Sequence, residues 1–555
     1  MELSGARYDT VFKAKRVMPG FRPWVEKVMS VDLAHLSPAR EAFPTLPPPV
    51  VNQPFLDYVL KEKKCCREFY MDPVARLRHG HGHTCQEVYE LRYSRTMGRM
   101  PDCVVYPGSH ADVEEIVRAA VRFDVVLIPY GGGTSVSGGL ECPHDEARMI
   151  VSLDMQRMNR VLWVDRENML ASIEAGALGQ ELNDKLAKVG LTTGHHPDSE
   201  EFSSLGGWVS TRASGMKKNV YGNIEDIVVN FKVVTPTGVL TSGCDVPRIS
   251  AGPAVLQMAM GSEGTLGVVT EVVVRLRPLP QRRVYGSVVF ADFAHGVAAM
   301  REVARFGCQP ASIRLMDNIQ FQFGQALKPE AENPAREELM STVQKAYLVN
   351  YKGIRPEDMC AATLVFEGQT DREIREQERR LYQVCAKHGG IKGGPDNGLR
   401  GYFLTYVIAY LRDYGFDFYF MSESFETSVP WGHVLPLVEG VNQRIRDECK
   451  RHHVPVEPFV CSRVTQTYDT GACVYTYFGF MWRGMKDPLA AFGAIESAAR
   501  DEIIRHKGSI SHHHGVGKHR KKWLRETVSD TGMEMLKAVK KAVDPTNVMN
   551  NGNLF

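Results

Sequence analysis

The chain has 555 residues, enough for roughly three domains with substantial cores. Its 67 lysines and arginines against 65 acidic residues leave a net charge of +2, too balanced for nucleic acid as a main partner. The twelve cysteines form no C-x-x-C pair, no apolar run approaches the length of a membrane span, and the N-terminus carries no signal-like apolar region. A soluble, intracellular, globular protein with reduced thiols is expected.

Residues 1–96 read as a mostly helical N-terminal segment. Its Pro-rich stretch, residues 43–50, forms an extended connector to a helical piece carrying Tyr58-Val59-Leu60. The run His79-Gly80-His81-Gly82-His83 invites a metal reading. An extended segment would place the imidazoles on one side, but no carboxylate or cysteine stands at a familiar ligand spacing, so a loop lining a cavity is expected.

Residues 97–279 alternate strands and helices. Strands are expected at 103–106, 125–128, 149–153, 160–164 and 170–174. Ser109 caps a helix whose Val113, Ile116, Val117, Ala120 and Val121 recur at helical spacing, and a second helix spans 178–189. The 125–128 strand runs into Pro129-Tyr130-Gly131-Gly132-Gly133-Thr134-Ser135-Val136-Ser137-Gly138-Gly139. Glycine tolerates φ > 0 and has no Cβ, so several backbone N–H groups can converge on one anion there, with Thr134, Ser135 and Ser137 adding hydroxyls. The spacing is neither that of a dinucleotide-binding G-x-G-x-x-G nor that of a P-loop. Alone, such a turn is more often only a loop.

Two further segments accompany it. One holds Asp198-Ser199-Glu200-Glu201-Phe202-Ser203-Ser204 and Thr211-Arg212-Ala213-Ser214; the other is Gly261-Ser262-Glu263-Gly264-Thr265-Leu266-Gly267-Val268-Val269. Three such segments in one domain suit a long ligand touched at its phosphates, ribose and ring. Strands come in runs as well as alternating with helices, so this domain reads as α+β in two subdomains.

Residues 280–500 read as a second α+β domain, a cap, with a strand at 283–290 and helices at 295–305, 371–388 and 433–450. The apolar run 404–411 is too short to span a bilayer and is a core helix or a cavity wall. Residues 501–555 form a C-terminal segment, with helices at 501–506 and 533–543, that returns to the first domain.

The motifs P-x-G-G-G-T-S, G-G-W-V-S-T-R-A-S-G and G-S-E-G-T-L-G resemble the FAD-binding domain of the vanillyl-alcohol oxidase and p-cresol methylhydroxylase (PCMH) flavoproteins. Gly194-His195, Pro197-Asp198-Ser199, residues 215–219, 311–318 and 424–428, and Ser511-His512-His513-His514-Gly515-Val516-Gly517-Lys518 are more narrowly similar to the alkyldihydroxyacetonephosphate synthase family, from about residue 50 onward. The resemblance implies a PCMH-type FAD-binding domain with an α+β cap and helical terminal segments. It implies non-covalent FAD held by the three glycine-rich segments, catalytic Tyr475, His512, His513, His514 and Arg314, and substrate contacts from Arg412 and His195. The implied reaction exchanges the acyl chain of 1-acyl-dihydroxyacetone phosphate for a long-chain fatty alcohol, with flavin N5 bonding to C1 in between. The implied setting is ether-lipid synthesis in a peroxisome or glycosome, with peripheral contact to the lumenal membrane face. A homodimer is expected by base rate.

The residues taken alone leave alternatives open. Tyr475 and Tyr477 share a face of an alternating run, which on pattern is core packing. A phenol with a pKa near 10 needs cationic neighbours to act as a base, which the histidines or Arg314 could supply. For His512–His514 a surface run, a metal cluster and a satisfied structural histidine compete with acid–base work. Adjacent histidines cannot all bind one metal with normal geometry, so no metal is expected, and His513 is the preferred participant. Without the resemblance, Arg412 is a surface arginine. His196 stands where an acidic residue is expected, and Ser204 where threonine is usual.

No S-K-L-type tripeptide ends the chain, and Lys27-Val28 with His35-Leu36 miss an N-terminal targeting pattern by one residue of spacing. The rival within the fold is an FAD-dependent 2-hydroxyacid dehydrogenase of D-lactate type. A catalytically silent flavin- or lipid-binding protein is the alternative from another class.

Overall fold

The computed structural model describes residues 18–328 and 354–555, and for 403–411 the backbone alone. The apolar side chains of the 404–411 run therefore lie outside the described residues. The chain divides into two units, one of residues 39–279 with 510–555 and the other of residues 18–38 with 280–509.

The first unit contains two sheets of different construction. Strands β1 (Glu68–Tyr70), β2 (Cys103–Tyr106), β3 (Val126–Tyr130) and β4 (Ile150–Asp154) form a sheet of order β1-β2-β4-β3, parallel except for β1. Between β2 and β3 runs the helix His110–Phe123, capped by Ser109, whose hydroxyl accepts from the Asp112 amide at 3.2 Å. Its Val113, Ile116, Val117 and Ala120 are buried against the sheet, as their spacing predicts. Each such branched side chain contributes roughly 1.5–3 kcal/mol. The second sheet, order β5-β6-β10-β8-β9, is antiparallel and comprises β5 (Val161–Asp165), β6 (Leu170–Glu174), β8 (Val228–Thr235), β9 (Gly238–Leu240) and β10 (Val268–Arg275). A short pair, β7 (Leu191–Thr192) with β11 (Arg277–Pro278), closes the segment. These two subdomains match the α+β reading.

The C-terminal residues extend the first sheet. The Leu127 amide donates to Val548 O at 2.7 Å and the Asn550 amide to Leu127 O at 2.8 Å, alongside β3.

The second unit is built on one antiparallel sheet of seven strands, ordered β15-β12-β14-β13-β17-β18-β16. They are β12 (Arg282–Phe290), β13 (Ser312–Met316), β14 (Cys360–Gly368), β15 (Ile391–Lys392), β16 (Phe420–Pro430), β17 (Phe459–Thr467) and β18 (Gly471–Met481). On one face lie the helices Phe293–Arg305, Asp371–Lys387, Val434–Arg451 and Pro488–Arg505. Phe492 stacks on Phe478 of β18 there, ring centroids 5.0 Å apart. The helix Pro395–Phe416 lies across the opposite face from β12 to β16. It approaches closely at two glycines: a Cβ on Gly398 would strike the Gly286 backbone, and one on Gly401 the Thr363 side chain.

Three expectations are corrected. A boundary at 500/501 falls inside the helix Pro488–Arg505, which Asp487 caps and Pro488 opens. Residues 1–96 are not one segment, because Phe21 and Val25 pack with Phe323 and Met316 in the second unit, while residues 39–96 belong to the first. The His79–His83 run is not extended throughout. His79 ends the helix Pro73–His79, is buried, and bonds Asp154 Oδ2 through Nε2 at 2.9 Å and Ala75 O through Nδ1 at 2.7 Å. Among the described residues no helix is long and apolar enough to cross a membrane.

Candidate active site

In the first unit β3 ends at Tyr130 and the backbone turns through Gly133 and Gly138, at φ of 70° and 71°. Pro129 and Tyr130 still pair with β4. Glycine is required at Gly131, where a Cβ would strike the Ser204 hydroxyl, and at Gly132, where it would strike Phe202 O. The first two glycine-rich segments thus lie against each other.

The polarity of the loop is one-sided. Several of its carbonyls are engaged by protein: Gly131 O accepts from Gln156 Nε2 (3.0 Å), Ser135 O from the His83 amide (2.6 Å), Val136 O from Arg520 (3.3 Å), and Ser137 O from the Lys518 and His519 amides (3.0 and 3.2 Å). None of the amide N–H groups from Gly132 to Gly138 donates to another described residue. That leaves several backbone donors available in one glycine-rich turn, which is what an anionic diphosphate needs. The residues present fit the diphosphate of FAD.

The second segment builds its own turn with most of its polar side chains. Ser199 O accepts from the amides of Phe202 and Ser203. Ser203 Oγ accepts from Trp208 Nε1 at 2.8 Å, and Ser204 caps the helix Leu205–Thr211. The change from threonine at Ser204 therefore keeps the cap. Thr211 bonds back to Gly207 O, Arg212 takes a left-handed conformation at φ 52°, Ser214 bonds Asn223, and Ala213 is buried. Asp198 and Phe202 are exposed, with Glu201 partly so. His196 Nδ1 faces the buried carboxylate of Glu200 at 3.1 Å, so the extra imidazole has its own partner.

His195 is fully buried at Trp208, ring centroids 4.7 Å apart, and neither ring nitrogen meets a hydrogen-bond partner among the described residues. Burial first, then the neighbouring His196 and His513, push its pKa down to about 3. It is a neutral imidazole at physiological pH.

In the third segment, Glu263 (φ 49°) and Gly264 (φ 77°) form a turn, and the Thr265 hydroxyl donates to Ser262 O. Leu266 and Gly267 lead into Val268 and Val269, which open β10; a Cβ on Gly267 would strike Val234 O. The Glu263 side chain is taken up by protein, its oxygens accepting from the amides of Val516 and Gly517. That loop carries the histidines. His512 Nδ1 lies 2.7 Å from His513 Nδ1, and the His513 and His514 rings meet edge to face at 4.7 Å. Left-handed Gly515 and Gly517 provide the tight turn expected there.

In the second unit, Tyr475 sits on β18 and is 4% exposed. The sheet register sets it beside Arg463 of β17 on one side and Glu426 of β16 on the other. Arg463 Cζ stands 5.2 Å from the Tyr475 ring centroid and 4.8 Å from that of Tyr477, and the two rings stack at 5.8 Å. Arg314, buried on β13, shares this face through the β13–β17 register. Arg463 is absent from the sequence reading, although it is the largest fully buried side chain of those described. Arg412 lies near the end of the helix Pro395–Phe416, largely buried, with Asp413 at 3.3 Å and Glu423 at 3.5 Å; it is not a surface arginine.

A glycine-rich loop whose amides are left to donate, in an α+β unit of two subdomains, fits an FAD-dependent enzyme, and the family matches show one. The sequence matches the FAD binding domain family over residues 101–243 and the C-terminal domain family of FAD linked oxidases over 279–554. It is 47% identical over 553 residues to an alkyldihydroxyacetonephosphate synthase of Caenorhabditis elegans, covering 100% of this chain and 91% of that one. A solved alkyldihydroxyacetonephosphate synthase superposes with a TM-score of 0.82 at 30% identity, covering 97% of this chain and 92% of that one. The chain belongs to the alkyldihydroxyacetonephosphate synthase family. A p-cresol methylhydroxylase structure shares the fold, at TM-score 0.66 and 14% identity over 90% of this chain and 95% of that one. The rival reading has a more distant relative, a mitochondrial D-lactate dehydrogenase of Arabidopsis thaliana at 26% identity over 478 residues, 82% of this chain and 74% of that one.

Proposed function

We propose that this chain exchanges the acyl group of 1-acyl-dihydroxyacetone phosphate for a long-chain fatty alcohol, giving the 1-alkyl product and a fatty acid. The observation that carries this reading is the full-length identity to a synthase of that name, and the buried Tyr475 beside Arg463 supports it. The amides of residues 132–138, which donate to no other described residue, would hold the FAD diphosphate, with no covalent tether expected. Bound there, FAD supplies a nucleophilic ring nitrogen for a reaction in which no net electrons move. Arg412 anchors the substrate phosphate with paired donors. The fatty acid leaves C1 as a carboxylate and the alcohol oxygen takes its place there, so the hydroxyl proton must leave; ionised Tyr475 Oη accepts it, and His513 of the 512–514 turn is a further acid–base group. Buried and neutral, His195 contacts substrate without adding charge.

Burying an alkyl chain gains about 0.8 kcal/mol per CH₂, so both lipid substrates partition into bilayers. This supports peripheral membrane contact, and family membership supports a peroxisomal or glycosomal setting; a homodimer is the assembly we infer. The test is conversion of palmitoyl-dihydroxyacetone phosphate and hexadecanol to the ether product. Dye reduction by a small 2-hydroxy acid, with no ether formed, would favour the dehydrogenase instead.

A further inference from the structure

The described ionisable groups on the Tyr475 face of strands β13, β17, β18 and β16 are Arg314, Arg463, Cys461, Cys473, Tyr477 and Glu426, assigned by register. Burial holds the Cys461 and Cys473 thiols up, so neither carries charge at neutral pH. The helix Pro395–Phe416, which lies across the same face, carries Asp396, Arg400, Arg412 and Asp413. Arg463 is the guanidinium with a direct approach. Its Cζ lies within cation–π range of both the Tyr475 and Tyr477 rings, and it is 2% exposed, so water screens the interaction little.

We propose that Arg463 is the positioning residue that lets Tyr475 exchange a proton near neutral pH, by holding a guanidinium against the face of its ring. A cation there stabilises the neutral phenol through the ring quadrupole and the phenolate through full charge as well, so it favours the ionised form. The same guanidinium also lies 4.8 Å from the Tyr477 ring centroid, and the β17–β18 register keeps Arg463 opposite Tyr475. Arg314 stands on the same face on β13, one strand further from Tyr475 than Arg463. The inference rests on the reading that Tyr475 moves the proton, but its test does not.

Phenolate absorbance is titrated in the FAD-loaded protein and in its Tyr475→Phe partner, so that their difference isolates Tyr475. The same pair is then made in Arg463→Met and in Arg463→Gln. Flavin content reports folding, and the glutamine variant serves where the methionine variant fails to fold. The midpoint should rise by at least ~1 unit when Arg463 is neutralised. The limb of the pH–turnover profile that reports Tyr475 should move the same way. A merely structural arginine would change stability or flavin content and leave the midpoint in place. Equal midpoints with and without Arg463 overturn the proposal and leave the catalytic reading of Tyr475 untouched. Undiminished turnover in Tyr475→Phe ends that catalytic reading, while a shifted midpoint still establishes the effect of Arg463.

Discussion

The carboxylate of Glu263 accepts hydrogen bonds from the backbone amides of Val516 (2.7 Å) and Gly517 (2.9 Å), so the third glycine-rich segment holds the loop that follows the three histidines. Gly515 must be glycine for this, since its φ is 87° and a Cβ there would press on the same carboxylate. Arg520 completes the arrangement by donating to Gly515 O at 2.9 Å.

Glu263→Gln tests the coupling. A glutamine offers one acceptor oxygen where two amides need one each, and its NH₂ meets the second amide donor to donor. The cost should be about 1–3 kcal/mol, seen as a lower Tm, with turnover falling as the histidine loop loses its anchor. A variant with unchanged Tm and unchanged turnover would mean that the loop holds itself.

Tyr475→Phe removes one hydroxyl from a packed strand and leaves the ring between its neighbours. Bound yellow FAD should be retained while turnover falls by roughly 10²–10⁴, the usual scale for losing an acid–base group. Near-normal turnover in purified, flavin-loaded protein would sink the role given to it.

For Arg412 the expected change is in substrate affinity. Asp413 and Glu423 lie beside the guanidinium at 3.3 and 3.5 Å. Arg412→Lys keeps the charge but not the planar fork, so KM for the acylated phosphate should rise several-fold with flavin content unchanged. An unaltered KM would show that the phosphate is anchored elsewhere.

Much of the first unit was legible because its signals are local. A β-branched run ending in glycines predicts β3 and its loop, and Ser109 before apolar residues at helical spacing predicts the next helix. Arg463 was not legible. Strand β17 went unread between longer helices, and a bulge between Val464 and Gln466 breaks its alternation, so only the folded register puts Arg463 opposite Tyr475. The Pro488 helix was placed thirteen residues late because Asp487-Pro488, a cap followed by proline in the first turn, was passed over. Asp72 and Pro73 make the same signal before His79, which is why that histidine ends a helix instead of lining an extended strand. Residues 18–38 join the second unit through a core assembled from distant parts of the chain, which no local pattern announces.

Release of the cofactor tests the absence of a tether. Heating or acid precipitation should free intact FAD into the supernatant. Flavin fluorescence that stays with the denatured band would show a covalent bond, with His195 the first residue to examine.

The last prediction concerns His195 and acid. Its folded pKa is pushed down to about 3, chiefly by burial, whereas the unfolded chain exposes an ordinary imidazole near 6.5. Above about 6.5 neither state binds the proton, so the group adds no pH dependence there. Below it the unfolded state takes up a proton that the folded state refuses until about pH 3. The unfolded state therefore binds more protons across that window, and stability is lost as pH falls through it. Replacing the ring by one that cannot titrate, His195→Phe, should remove this part of the slope even if it shifts the overall stability. Denaturant unfolding at intervals from pH 7 down to 4 measures it. The variant's stability should decline less steeply than that of the parent, and the missing slope should correspond to up to one proton. Parallel curves would mean that His195 is protonated in the folded protein, and the neutral role assigned to it at the substrate would fall with that result.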